Sequence, residues 1–185
     1  MENFLYSIDV KIFYFINHSL ANPVFDSFFR FITLPEHWFI AYVILMGILI
    51  IKGGRLGRIA FVGIIVVIAV SDQTSSNFLK NMVGRIRPCN ALPNVRLLVN
   101  CLGSYSFPSS HATNNFAAAA YFSYLYSDYK KVLYGVAALV AFSRPYVGVH
   151  YPSDILFGAA LGFLIGYLFA ILTVKINMRF SDEKS

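Results

Sequence analysis

Long runs with almost no charge limit what this chain can become. Residues 37–51, 59–79, 112–127, 131–145 and 154–176 each read as an apolar helix, and only 13% of the 185 residues are charged. A water-soluble domain of this size would carry about 25%. Such a chain buries its backbone polar groups in lipid, which only helices or a closed barrel permit. The expected fold is therefore all-α: a polytopic membrane helical bundle of five to six spans. Some runs fall below the ~20 residues a bilayer asks for, so they must extend into flanking sequence or be covered by neighbours.

Residues 1–36 differ. Leu5, Ile8, Ile12 and Ile16 recur at helical spacing, while Asn3, Ser7, Lys11 and His18 fall on another face. This predicts an amphipathic helix lying in the membrane interface. A second short helix is expected from Pro23 to Thr33, ended by Pro35. One domain over 1–185 follows: interfacial helices over 1–36, a bundle over 37–176 and a cytoplasmic tail over 177–185. A sixth span inside 1–36 is the alternative. Met1-Glu2-Asn3 lacks the basic start of a cleavable signal, and Asp9 and Lys11 interrupt the apolar stretch.

Charge sets the orientation. Lys52, Arg55, Arg58, Lys130, Lys131, Lys175, Arg179 and Lys184, eight of the fifteen basic residues, flank alternate ends of the runs. The positive-inside rule makes that side cytoplasmic. Lys80 to His111 and Pro145 to Ser153 then fall outside, where Lys80, Arg85, Arg87, Arg96 and Arg144 defy the bias. The net charge of +6 is spread along the chain rather than gathered in one patch, so no nucleic-acid partner is expected.

Residues 80–88 read KNMVGRIRP, 107–111 FPSSH and 143–154 SRPYVGVHYPSD. These clusters hold cations, two histidines, serine hydroxyls and a carboxylate, a set suited to a phosphate dianion. Together they resemble the three motifs of the type-2 phosphatidic-acid phosphatase superfamily, which includes membrane lipid phosphatases and soluble vanadium haloperoxidases. The resemblance covers about residues 72–165 in the family's order. One position departs: the usual Pro-Ser-Gly-His is Pro-Ser-Ser-His, which loosens the substrate assignment more than the chemistry.

The resemblance implies a lipid phosphatase, and the residue types suggest roles. His150 is the expected nucleophile, forming a phosphohistidine. Asp154 would hold its other ring nitrogen. His111 would protonate the leaving oxygen and then activate water. Lys80, Arg87 and Arg144 would clamp the phosphate oxygens, with Ser109, Ser110 and helix-start N–H groups completing the cradle. Taken singly, an interface histidine is ordinarily a hydrogen-bonded structural residue, as His18 and His37 are read here, and Asp154 could simply complement a helix dipole. Asp72, Gln73, Thr74, Ser75, Ser76 and Asn77 are expected to face the interior and brace the site.

No metal or other cofactor is expected: the family works without metal, and three cations would repel one from His111, His150 and Asp154. The expected partners are the membrane and a phospholipid, isoprenoid or saccharolipid phosphate. Undecaprenyl diphosphate and lipid A 1-phosphate are favoured over phosphatidylglycerol phosphate. The enzyme would sit in the bacterial inner membrane, with its site on the extracytoplasmic face. A phosphotransferase using the same intermediate and a non-enzymatic lipid-binding or transport bundle are the alternatives. Arg85 or Arg96 could meet a second phosphate or a sugar. Cys89 and Cys101 could form a disulfide or remain free thiols. Gly162 and Gly166 read as an intramolecular packing pair rather than a dimer contact.

Overall fold

A computed structural model describes residues 4–182, with no side-chain description for 180–182. Asn3 and Lys184 lie outside the described residues. Helix α1 (Phe4–Tyr14) runs into a π-helical turn (Phe15–Ser19), then α2 (Pro23–Thr33) and α3 (Phe39–Ile51). Next come α4 (Gly54–Asp72), a second π-helical segment (Gln73–Leu79), and the short α5 (Lys80–Val83) and α6 (Pro88–Ala91). The chain closes with α7 (Ser110–Leu125), α8 (Lys130–Tyr146) and α9 (Pro152–Asp182). All five apolar runs are helical. The stretch expected as a tail from 177 continues α9 through Asp182.

Local signals explain the boundaries. Asn22 caps α2, its side-chain oxygen accepting from Phe25 N–H at 2.9 Å, with Pro23 as first helical residue. Pro35 ends that helix, and the α2–α3 pair bends by 70°. The left-handed Gly84 (φ 67°) stops α5.

Helix α7 lies at the centre, packed by α4, α8 and α9. Its buried residues include Ala117, Ala120, Tyr121 and Phe122, which join Ala60, Ile64, Val67 and Ala170 in the main core. The α7–α9 contact is the closest of all. Gly158, Gly162 and Gly166 on α9 meet Ser109, Thr113 and Ala117 on α7, four-residue steps on both helices. A Cβ on Gly158 would lie 2.8 Å from the Ser109 carbonyl oxygen, and one on Gly162 or Gly166 would collide with the Thr113 or Ala117 carbonyl. The G-x-x-x-G pair thus packs within the chain, where small residues let backbones approach.

Two stretches among the described residues are long and apolar enough to cross a membrane alone, Gly54–Ala91 and Pro152–Arg179. A third joins them if the bent α2–α3 pair is one span. Helices α7 and α8, 16 and 17 residues long, fall below the ~20 of a free span. Length and composition therefore do not reach the expected five to six. Being wrapped by neighbours, α7 keeps Thr113, Asn114 and Ser123 turned away from lipid, at the expense of hydropathy.

The N-terminal helices are built into the bundle rather than merely resting beside it. On α1, Leu5, Ile8 and Ile12 are exposed, whereas Asp9 and Phe13 are buried. A second core of Ile16, Phe29, Ile32, Tyr146, Val147 and Val149 fastens α2 and the first π-turn to the end of α8. Asn17, fully buried, donates to the carbonyls of Arg96 and Tyr146, both at 2.8 Å, and accepts from Arg96 N–H at 2.9 Å.

The α7–α9 contact generates a stability prediction. Gly162→Ala should destabilise the protein by about 1–3 kcal/mol, as overpacking does. Gly47→Ala, on α3 with nothing within 4 Å of its Cβ position, should stay within about 0.5 kcal/mol of wild type. Thermal melting in detergent checks both; equal melting of the two variants would refute the close-packing account.

Candidate active site

The three polar motifs converge on one end of the bundle. Lys80 follows the π-helical segment that ends α4, and Arg87 sits at the start of α6. Ser109 caps α7, whose first turn holds Ser110 and His111. Arg144 lies in the last turn of α8, His150 in the connection to α9, and Asp154 in the first turn of α9.

His150 is held on both ring nitrogens. Nδ1 faces Asp154 Oδ2 at 3.3 Å, and Nε2 faces Arg87 Nη1 at 3.0 Å. A guanidinium can only donate, so Nε2 is the unprotonated acceptor and Nδ1 carries the hydrogen given to Asp154. Burial is the main influence on this imidazole. It pushes the pKa down to about 3, against the pull of Asp154 and with the push of Arg87 and Arg144.

Asp154 is fully buried and receives several donors. Oδ2 accepts from Tyr151 N–H at 2.8 Å and from the Ser106 hydroxyl; Oδ1 accepts from Arg85 Nη1 at 2.7 Å. Its backbone carbonyl accepts from Ser109 N–H at 3.1 Å, tying the second motif to the third. The Ser106 N–H donates to the Arg85 carbonyl at 2.7 Å, tying the second to the first.

The cations are buried: Lys80 is 5% exposed, Arg87 3% and Arg144 6%. Among the described residues none of the three has a carboxylate within 4.0 Å; the ion pairs there are those of Arg85 and Arg96, and the neutral His150 makes the remaining contact to a carboxylate. Arg87 is fixed by the Ser104 carbonyl (2.7 Å), the Ser104 hydroxyl (3.0 Å) and the Val149 carbonyl (3.0 Å). Arg144 donates to the Thr33 hydroxyl at 2.5 Å, while its Nε is buried with no hydrogen-bond partner among the described residues. Lys80 lies within electrostatic reach of Arg87, Arg144, Asp154 and Asp72. His111 lies within electrostatic reach of His150, Arg144 and Lys80.

The two serines differ. Ser109 Oγ accepts from Ala112 N–H at 3.4 Å, leaving its own hydrogen to donate. Ser110 Oγ instead bonds Ser76 Oγ at 2.8 Å, so its side chain belongs to a bracing network rather than to the cation cluster. In that network Asp72 accepts from Ser76 and Asn114, both at 3.1 Å, and Ser71 donates to Asn114 at 2.7 Å. Ser75 is buried as expected of a bracing residue, and so is Ser71, which was not singled out from sequence, but Gln73 and Asn77 are exposed and bond each other. The helix carries those two positions round to the outer face. His37 stacks on Phe31 and bonds its carbonyl at 2.7 Å, and His18 packs beside Tyr14.

Several residues at the site were not singled out from sequence: Asp9, Thr33, Ser104, Ser106 and Tyr151. A lone acid in an apolar helix, as Asp9 is, was the one available signal. Arg85 and Arg96, whose role the sequence left open with a second phosphate or a sugar as candidates, are engaged in the chain itself. Arg85 pairs with Asp9 and Asp154, and Arg96 with Asp26 at 2.5 Å. Gly148 is required where it stands. It has φ 92°, and a Cβ there would lie 2.5 Å from the Arg96 carbonyl oxygen. Cys89 and Cys101 form a disulfide that closes the loop carrying Arg96. Among the described residues no group of His, Cys, Asp and Glu is arranged to hold a metal.

An all-helical membrane bundle with a buried histidine, a second histidine near it and three cations without carboxylate partners among the described residues has the makings of a phosphate-handling membrane protein. Residues 58–178 match the PAP2 superfamily, and the chain belongs to it, among the family's membrane lipid phosphatases. It is 30% identical to a lipid A 4'-phosphatase of Bacteroides thetaiotaomicron, over 99% of this chain and 84% of that protein. It is 31% identical to the undecaprenyl-diphosphatase BcrC of Bacillus subtilis, over 89% and 80%. The crystal structure of a transmembrane PAP2-type phosphatidylglycerolphosphate phosphatase from Bacillus subtilis superposes with a TM-score of 0.74 at 27% identity, covering 94% of this chain and 88% of that one.

The geometry around His150 makes its protonation state measurable. Titrating near 3, its imidazole should keep the neutral, Nδ1-protonated tautomer down to about pH 5.5, a pH at which an ordinary histidine is mostly charged. Nitrogen-15 NMR of the detergent-solubilised protein, assigned with His150→Gln, would show it. An imidazolium signal at that pH would contradict the geometry.

Proposed function

We propose that the chain hydrolyses the terminal phosphate of a lipid phosphate through a phosphohistidine on His150. The observation that carries this reading is the group of three buried cations without carboxylate partners among the described residues, gathered near a buried neutral imidazole. Burying like charges costs several kcal/mol per ion, and an incoming phosphate dianion supplies the missing counter-charge.

In the first step His150 Nε2 attacks phosphorus. Arg87 moves its donor from that nitrogen to a phosphate oxygen, and the phosphorus–oxygen bond to the lipid breaks. His111, protonated once the phosphate dianion offsets the neighbouring cations, gives that proton to the departing lipid oxygen and is left neutral. Asp154 accepts the Nδ1 hydrogen throughout and stabilises the positive charge formed on the ring. Lys80, Arg87 and Arg144 bind the nonbridging oxygens, helped by the Ser109 hydroxyl and the N–H groups of Ser110 and His111, which α7 leaves without intrahelical partners. In the second step His111 takes a proton from water, the hydroxide attacks phosphorus, and phosphate leaves His150. Ser110 contributes through its backbone, its side chain being bonded to Ser76.

For the substrate, a phosphate monoester on a saccharolipid such as lipid A is favoured, the 4'-phosphate ahead of the 1-phosphate. The full-length similarity to a lipid A 4'-phosphatase supports this. So does the engagement of Arg85 and Arg96 by carboxylates, which leaves neither ready for the second phosphate of a diphosphate. This moves the expectation away from undecaprenyl diphosphate.

The site is proposed to face the cell exterior or periplasm from the cytoplasmic membrane. The Cys89–Cys101 disulfide supports this, since it adjoins Arg87 and such bonds persist outside the cytoplasm. The basic residues at the far ends of the helices point the same way.

A phosphate-release assay in detergent micelles tests the reaction across lipid A 4'-phosphate, lipid A 1-phosphate, phosphatidylglycerol phosphate and undecaprenyl diphosphate. The 4'-phosphate should turn over fastest, Lys80→Ala and Arg144→Ala should lose about 10²–10³ in rate, and His150→Ala should release almost nothing. Retention of more than about a tenth of the rate by His150→Ala would be a smaller loss than that of one phosphate donor and would end the nucleophile assignment. Orientation has its own test. The 31 residues of α9 span about 46 Å, so a tag after Ser185 should resist protease added to intact spheroplasts. Its digestion there would reverse the proposed topology.

A further inference from the structure

We infer that Arg85 and Asp9 are positioning residues of this reaction, acting on His150 through Asp154 and making the N-terminal helix α1 part of the catalytic apparatus. The inference rests on the reading of His150 as nucleophile.

A continuous chain of contacts carries it. Asp9 Oδ2 accepts from Arg85 Nη2 at 2.6 Å, Arg85 Nη1 donates to Asp154 Oδ1 at 2.7 Å, and Asp154 Oδ2 faces His150 Nδ1 at 3.3 Å. Arg85 is held from every side. Its Nη1 also donates to Ser153 Oγ at 2.7 Å, and its guanidinium lies 3.8 Å from the centre of the Tyr151 ring. Asp9 accepts in turn from Ser153 N–H at 2.9 Å, so a residue of α1 satisfies a backbone donor in the first turn of α9.

The chemistry gives Arg85 a specific task. Attack by Nε2 places positive charge on the ring, and Asp154 stabilises it only while its carboxylate plane faces Nδ1. Among the described residues, Arg85 is the one cation paired with Asp154, and it grips the oxygen that His150 does not use. Removing it frees the carboxylate to rotate and leaves a buried anion with its neutral donors and His150 alone. Arg85 does not join the phosphate clamp, because its charge is already balanced by two carboxylates.

Steady-state kinetics on a lipid phosphate in micelles test this. Arg85→Gln should lower kcat about 10–100-fold, the cost of losing a partner that orients a reacting histidine, with KM within about threefold of wild type. Arg85→Lys should recover part of kcat by restoring the charge without the fork, and Asp9→Asn should show a smaller kcat loss than Arg85→Gln. In an Asp154→Asn background, followed with radiolabelled phosphate, Arg85→Gln should cost less than about twofold, since its effect passes through Asp154.

A rise in KM at unchanged kcat would make Arg85 a substrate contact and overturn the inference, as would an undiminished loss in the Asp154→Asn background. If Arg85→Gln does not fold, the ratio of kcat losses in Arg85→Lys and Asp9→Asn, with and without Asp154→Asn, carries the same comparison. His150→Ala separates the two readings: activity there refutes the nucleophile. An inactive His150→Ala beside a fully active Arg85→Gln refutes only the positioning role.

Discussion

Positive charge buried at one end of an apolar bundle is the constraint on which the rest of this structure turns. Lys80, Arg85, Arg87 and Arg144 come from two separate stretches of chain, and each would be costly in a low-dielectric interior without a counter-charge. Arg85 is resolved internally, by Asp9 and Asp154. Arg87 and Arg144 are held by neutral oxygens, from Ser104, Val149 and Thr33. These orient the side chains without cancelling their charge. The fold thereby keeps an excess of positive charge pre-arranged, the condition under which electrostatic stabilisation needs little reorganisation when a dianion arrives.

That arrangement depends on how closely α7 and α9 approach. Backbone contact at Gly158, Gly162 and Gly166 sets the two helices side by side, which brings the cap of one and the first turn of the other into a shared network. The bond from Ser109 N–H to the Asp154 carbonyl is its direct expression. Wider side chains on α9 would separate the helix starts and with them the two histidine-bearing motifs. A packing feature deep in the bundle thus decides the geometry at its end.

Much of this was legible in the residues. The apolar runs became helices, Pro23, Thr33 and Pro35 marked a helix and its break, and the glycine pair packed within the chain. The polar motifs were recognisable because charge in a chain this apolar needs a reason. Side-chain assignment was harder. Ser110, read as contributing its backbone N–H, turns its side chain toward Ser76 on the neighbouring helix, and Gln73 and Asn77 face outward while Ser71 and Ser75 do not. Such distinctions depend on local helical phase, which a π-helical segment shifts, and on what stands opposite.

Composition and motif spacing were enough to determine a helical membrane protein, its helical segments and the residue types gathered at its polar end, because hydropathy and charge are properties of the chain itself. Only the tertiary structure decided which side chains meet. It drew Asp9, from a helix expected to lie in the interface, into contact with Arg85 and Ser153. It also set Thr33 against Arg144 and gave Arg85 and Arg96 carboxylate partners. These pairings join residues dozens of positions apart, and no local preference in the sequence encodes them; they exist because packed helices leave each buried polar group few partners within reach.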